Sequence, residues 1–189
     1  MKRIFLTLLS LVLMSAASAQ KRETDPLGPL TKCFDGTGFR VGATDRLPAT
    51  ARWRTVEGPD GEAKVSLDDG YRLMLYTDGP NPVVNLKIER AAPGRIVEDR
   101  AAIVAQMKYL VEHDAKRSTI LDVATRGSIE HLTVRRTALG GHGIANIETL
   151  IHQRTGTIAT AYLIDTNPTG FDALRADFLA LLSACIEKQ

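Results

Sequence analysis

The 189-residue chain has little of what marks the common function classes. Its charge is nearly balanced, with 24 Lys and Arg against 22 Asp and Glu. A nucleic-acid footprint needs clustered excess positive charge, so no nucleic-acid partner is expected. Its four histidines include no His-x-x-x-His pair and no His-Glu-x-x-His, so a helical zinc site has no motif to rest on. No Gly-x-Ser-x-Gly elbow occurs, and Ser66, Ser118, Ser128 and Ser183 stand in no Ser-x-x-Lys context. Asp60-Gly61 and Asp68-Asp69-Gly70 lack the spacing and distal Glu of a calcium loop and read as turns. No repeat, low-complexity tract or second domain boundary is visible. No catalytic residue, cofactor or metal ligand can therefore be assigned.

What is present begins at the N-terminus. Met1-Lys2-Arg3 leads an apolar run, Ile4 to Met14, and then the small residues Ser15 to Ala19. This is the pattern of a secretory signal peptide over residues 1–19, with cleavage after Ala19. Loss of Lys2 and Arg3 then removes the basic surplus. The run is too short to span a bilayer, and no later run reaches the roughly 18 apolar residues of a span. No cysteine follows the small residues, so a lipoprotein signal is absent. The expected product is an exported, periplasmic protein with no transmembrane segment in its mature form. Its two cysteines, Cys33 and Cys185, are then expected to bridge, because export exposes thiols to oxidation.

Residues 20–50 carry many Pro and Gly and read as an irregular N-terminal arm. Residues 51–189 read as one domain. Short strands are expected at 51–56, 63–67, 71–77 and 83–90. In the last, Val84, Leu86 and Ile88 alternate with Asn85, Lys87 and Glu89. A helix is expected over 97–116, where Val97, Ala101, Val104, Met107 and Val111, with Ile103 and Leu110 beside them, fit a 3.6 period. Met107 reads as core filler. Strands follow at 120–125, 130–138, 144–153 and 157–165, the last two joined by a hairpin at Arg154-Thr155-Gly156. A closing helix over 171–187 carries Phe171, Leu174, Phe178, Leu181, Leu182 and Cys185 on one stripe. Hairpins, a helix, hairpins and a final helix define an α+β fold, an antiparallel sheet packed by a long central helix and a C-terminal helix.

In the order and spacing of these elements, over roughly residues 50–187, the chain resembles the PsbP-like fold shared by bacterial DcrB-like envelope proteins. The strands ending Ala161-Tyr162-Leu163-Ile164 and the helix 171–187 carry the likeness. The resemblance implies an accessory or binding role with no fixed chemistry.

Two surfaces are candidates for such a role. Gly140, Gly141, His142 and Gly143 form a loop where backbone can approach a ligand beside a side chain that titrates near neutral pH. Its alternative is a plain turn. Arg126, Arg135, Arg136 and Arg154 could share a sheet face that takes an anionic partner, or could be balanced by Glu130 and Glu148. Trp53 reads as core, with an interface anchor as the alternative. The leading expectation is a non-enzymatic periplasmic binding or accessory protein with a protein or envelope partner. An inhibitor or immunity protein against an envelope-acting enzyme is its specific form. The alternative is a small hydrolase or metal-dependent enzyme using His142, His131 or His152, with Glu130 or Glu148 beside the last two.

Overall fold

The computed structural model describes residues 27–47, 53–58, 61–92, 94–113, 118–137, 144–165 and 168–189. Over 53–58, 62–69, 118–121, 136–137, 144, 165 and 168–169 the description is of the backbone alone. Residues 1–26, with the expected signal peptide, and Gly140, Gly141, His142 and Gly143 lie outside it.

The expected α+β architecture is what forms. Strands β1 (Arg40–Arg46), β3 (Gly61–Tyr76), β4 (Val84–Ala91), β5 (Ser118–Arg126), β6 (Ile129–Thr137), β7 (Ile144–His152) and β8 (Thr157–Asp165) join in the order β1-β3-β4-β8-β7-β6-β5. All the pairings are antiparallel. Strand β2 (Trp53–Gly58) pairs with the first half of β3. Helices α1 (Ile96–His113) and α2 (Pro168–Glu187) cover opposite faces of the sheet.

Strand alternation assigns the two faces. Val84, Leu86 and Ile88 of β4 with Ala159, Ala161 and Leu163 of β8 form the α2 face. Phe171, Phe178, Leu182 and Ile186 pack on it from α2. Leu132, Val134, Ile147, Ile151 and Ile158 form the α1 face, against Ile103 and Met107. A sheet with a helix on each side buries two apolar layers, so the chain holds two cores.

Three expectations need correction. Residues 27–46 are not an irregular arm. A 3-10 turn (Gly28–Lys32) buries Leu27 and Leu30, and residues 40–46 are strand β1 on the edge of β3. Phe34 stacks on Phe178 at 5.7 Å between ring centroids, and Phe39 meets both rings edge-on. Apolar burial outweighs the Pro and Gly content here. Second, the segments 63–67 and 71–77 are one strand. Asp68-Asp69-Gly70 is a register shift inside β3 rather than a turn. Gly70 is needed because a Cβ there would lie 2.6 Å from Leu47 Cδ1 and 3.2 Å from the Ile88 carbonyl oxygen. Third, of the residues expected on the α1 stripe Val97 is 68% exposed and Ala101 is exposed, while Met107 and Ile103 are buried with Asp99, and Val104 and Val111 pack beside them. Apolar residues occur on both sides of α1, so the period fixes a helix but not its inner face.

Candidate functional site

Cys33 and Cys185 form a disulfide, with Cα atoms 5.9 Å apart and a separation of 152 positions in sequence. It joins the end of the 3-10 turn to the last turn of α2, beside the Phe34–Phe178 stack. The bridge expected from the sequence is present.

The most developed polar cluster lies between α2 and strands β6 and β7. Its centre is Glu148, which is fully buried. Register places His131 and Thr133 of β6 on the same sheet face as Glu148 and Asn146 of β7. Position 175 falls four residues after Phe171 and three before Phe178, so the helical repeat brings Arg175 onto the same stripe. Glu148 Oε2 lies 2.6 Å from His131 Nε2 and accepts a hydrogen bond from Thr133 Oγ1 at 2.7 Å. Asn146 Nδ2 donates to Oε1 at 2.7 Å, and Arg175 Nε donates to the same oxygen at 2.5 Å. Arg175 Nη2 also donates to Thr133 Oγ1 at 3.1 Å.

Burial alone would raise the pKa of Glu148. The bonds from His131, Arg175, Thr133 and Asn146 outweigh it and hold the carboxyl at about 2. Glu148 is therefore a permanent carboxylate near neutral pH. A general acid or base needs a pKa near the working pH and a free lone pair facing substrate. Glu148 has neither, since both oxygens are engaged by several donors. The cluster fixes α2 on the sheet.

The other ionisable candidates separate. His131 and His152 share the α2 face of adjacent strands but do not meet: His131 opposes Leu150, and His152 opposes Ile129. His152 Nδ1 lies 2.8 Å from Thr155 Oγ1. Burial, then the charge of Arg154, lowers the pKa of His152 against the opposing pull of Glu187. Glu130 projects to the α1 face, where Arg100 of α1 engages both its oxygens. That bond raises the pKa of Arg100. Among the described residues no group of three His, Cys, Asp or Glu is placed to hold a metal ion. His142 and its glycine neighbours lie outside the described residues.

The four arginines do not form one patch. Arg135 is bonded to Asp172 at 3.0 Å, near the start of α2. Arg154 sits in the β7–β8 turn, roughly 20 Å away at the rise of an extended strand. Arg126 is exposed at that same end. The side chain of Arg136 lies outside the description. Glu130 and Glu148, taken as balancing charges, are committed to Arg100 and Arg175 instead.

The α1 face carries a different feature. A groove of about 320 Å³ runs between α1 and the sheet. Ile103, Gln106 and Met107 line the helix side, and Lys87, Thr149 and Tyr162 the sheet side. Tyr162 is 46% exposed and Ile164, two residues on, is 48% exposed. Apolar floor, convergent polar groups and an exposed aromatic are the parts of a recognition surface. The groove was not legible from sequence, because it depends on how α1 is rotated. The Glu148 cluster had a signal: a carboxylate and an asparagine alternating into a covered strand face, and an arginine inside an apolar helical stripe.

No protein family, curated protein or solved structure matches the chain. Among the described residues no helix is long and apolar enough to cross a membrane.

Proposed function

We propose that the protein is an exported, periplasmic, non-enzymatic binding or accessory protein of the bacterial envelope. The observation that carries this reading is the contrast between its two polar regions. The carboxylate at the centre of the best-built ionisable cluster among the described residues has both oxygens engaged by internal bonds, whereas the α1 groove presents Gln106 and Tyr162 beside the Lys87–Glu89 ion pair. The leader-like N-terminus and the disulfide support export. Likeness to PsbP-like and DcrB-like proteins is part of the same proposal and adds only the accessory role. In its specific form, the protein is an inhibitor or immunity protein that occupies an envelope-acting enzyme. A rigid, doubly covered sheet loses little entropy on docking.

The test uses the oxidised protein, immobilised against a periplasmic extract. A protein partner should be retained by the native chain and lost by Tyr162→Ala or Gln106→Ala. No retained protein, or retention indifferent to both substitutions, overturns the reading.

The competing reading is a small hydrolase or metal-dependent enzyme. Its one geometric support is the contact of His131 with Glu148. In that reading His142, His131 or His152 carries the chemistry, so His142→Ala or His131→Ala should lower hydrolytic activity and bound metal. Protein without metal, and unaffected by either substitution, removes it.

A further inference from the structure

A second concavity lies on the opposite, α2 side of the sheet, at the end where α2 finishes. Its volume is about 580 Å³, within the ~300–1,000 Å³ typical of organic ligand sites. Its walls differ in kind. Leu27, Leu30 and Cys185, the last in the disulfide, make one side apolar. Arg90 of β4, Arg154 of the β7–β8 turn and Lys188 after α2 supply three cations. No side-chain hydrogen bond or ion pair joins any of these three to a described residue. Glu187, the acidic neighbour on α2, comes close to Gly127 in the β5–β6 turn.

Between the walls runs a short rail of polar groups. His152 Nδ1 meets Thr155 Oγ1 at 2.8 Å, Thr155 Oγ1 meets Thr157 Oγ1 at 2.9 Å, and Thr157 donates to Gln189 Oε1 at 2.7 Å. Thr155, Thr157 and Gln189 all line the cavity. Behind them His152 is fully buried, and its Nε2 has no hydrogen-bond partner among the described residues.

Like charges gathered beside a low-dielectric wall focus a positive potential. Guanidinium groups pair with carboxylate or phosphate oxygens through two parallel bonds. A bare inorganic anion would leave the apolar wall unused, and a neutral apolar molecule would leave the cations unused. We propose that this cavity binds a small amphipathic anion, with its acidic head on Arg90, Arg154 and Lys188 and its alkyl body against Leu27, Leu30 and the disulfide. This lies beyond the proposed function, since it concerns the other face of the sheet and another class of ligand.

The test is calorimetric titration of the full oxidised protein with octyl phosphate, octanoate, octyl glucoside and inorganic phosphate. At least one of the two acidic amphiphiles should bind, and which binds tighter identifies the head as phosphate or carboxylate. Octyl glucoside and inorganic phosphate should bind at least about tenfold more weakly. The double substitution Arg154→Ala with Lys188→Ala changes exposed side chains and should leave the melting temperature in place. It should weaken the acidic amphiphile about tenfold or more. No heat from either acid at about 1 mM, equal binding of octyl glucoside, or unchanged affinity in the double variant would each overturn the proposal.

Discussion

The two faces of the sheet solve different problems. On the α2 face, interactions are redundant: a disulfide, a three-ring aromatic cluster and a carboxylate with several donors all hold one helix. On the α1 face, the helix rests on Ile103 and Met107, an Arg100–Glu130 pair ties it down, and a groove stays open beside it. The lesson is that saturation marks structure and vacancy marks recognition. A buried charge with both oxygens engaged serves the fold, while half-exposed groups beside apolar surface can serve a partner.

That contrast can be broken by measurement. The largest effect should follow reduction of Cys33–Cys185. A loop of this length corresponds to about 5 kcal/mol in the chain-entropy account, although the enthalpic account divides it differently. Denaturant unfolding with and without reductant measures it, and a loss below about 1 kcal/mol would make the bridge an ornament of this face.

Arg175→Met should come next, at about 3–4 kcal/mol, because it leaves Glu148 buried with its charge uncompensated. The same urea titration reads it. A cost near that of an exposed substitution would show that the cluster does not hold α2.

Acid should act through the same carboxylate. Glu148 has a folded pKa of about 2, below its ordinary 4.5, so its contribution is complete above pH 4.5 and is lost as pH falls toward 2. The linked loss is on the order of 2–3 kcal/mol. His152, whose pKa is lowered by burial, pushes the same way but earlier, destabilising the native state as pH drops below its ordinary 6.5. Chemical denaturation across pH 2 to 7 should therefore show two steps. Arg175→Met should shrink the lower one and spare the upper.

The smallest stability effect belongs to the α1 face. Tyr162→Ala should change unfolding free energy by less than about 0.5 kcal/mol while removing partner retention. A cost comparable to Arg175→Met would erase the distinction between the faces.

Much of this architecture could be read in advance, for reasons that differ by element. The alternation in Val84 to Arg90 and the Gly156 hairpin declare β4, β7 and β8 because period two and a turn glycine are local signals. The stripe of α2 is clear because its apolar residues fall on one side. The stripe of α1 misleads because Val97 and Ala101 compete with Ile103 for the inside. Strand β1 was illegible: Arg40 to Arg46 is almost wholly exposed, and only its pairing with β3 makes it a strand. Apart from Asn146, two residues before it, the partners of Glu148 come from 15 to 27 residues away in sequence, beyond any local pattern.

The disulfide has one further consequence. Because it joins residue 33 to residue 185, the body of the chain is mechanically a ring. A single backbone cut anywhere between those positions opens the ring without releasing a fragment. Both halves stay tethered, and the pieces part only when a cut and a reductant act together. A protease that cuts once inside that ring therefore leaves a single covalently joined molecule.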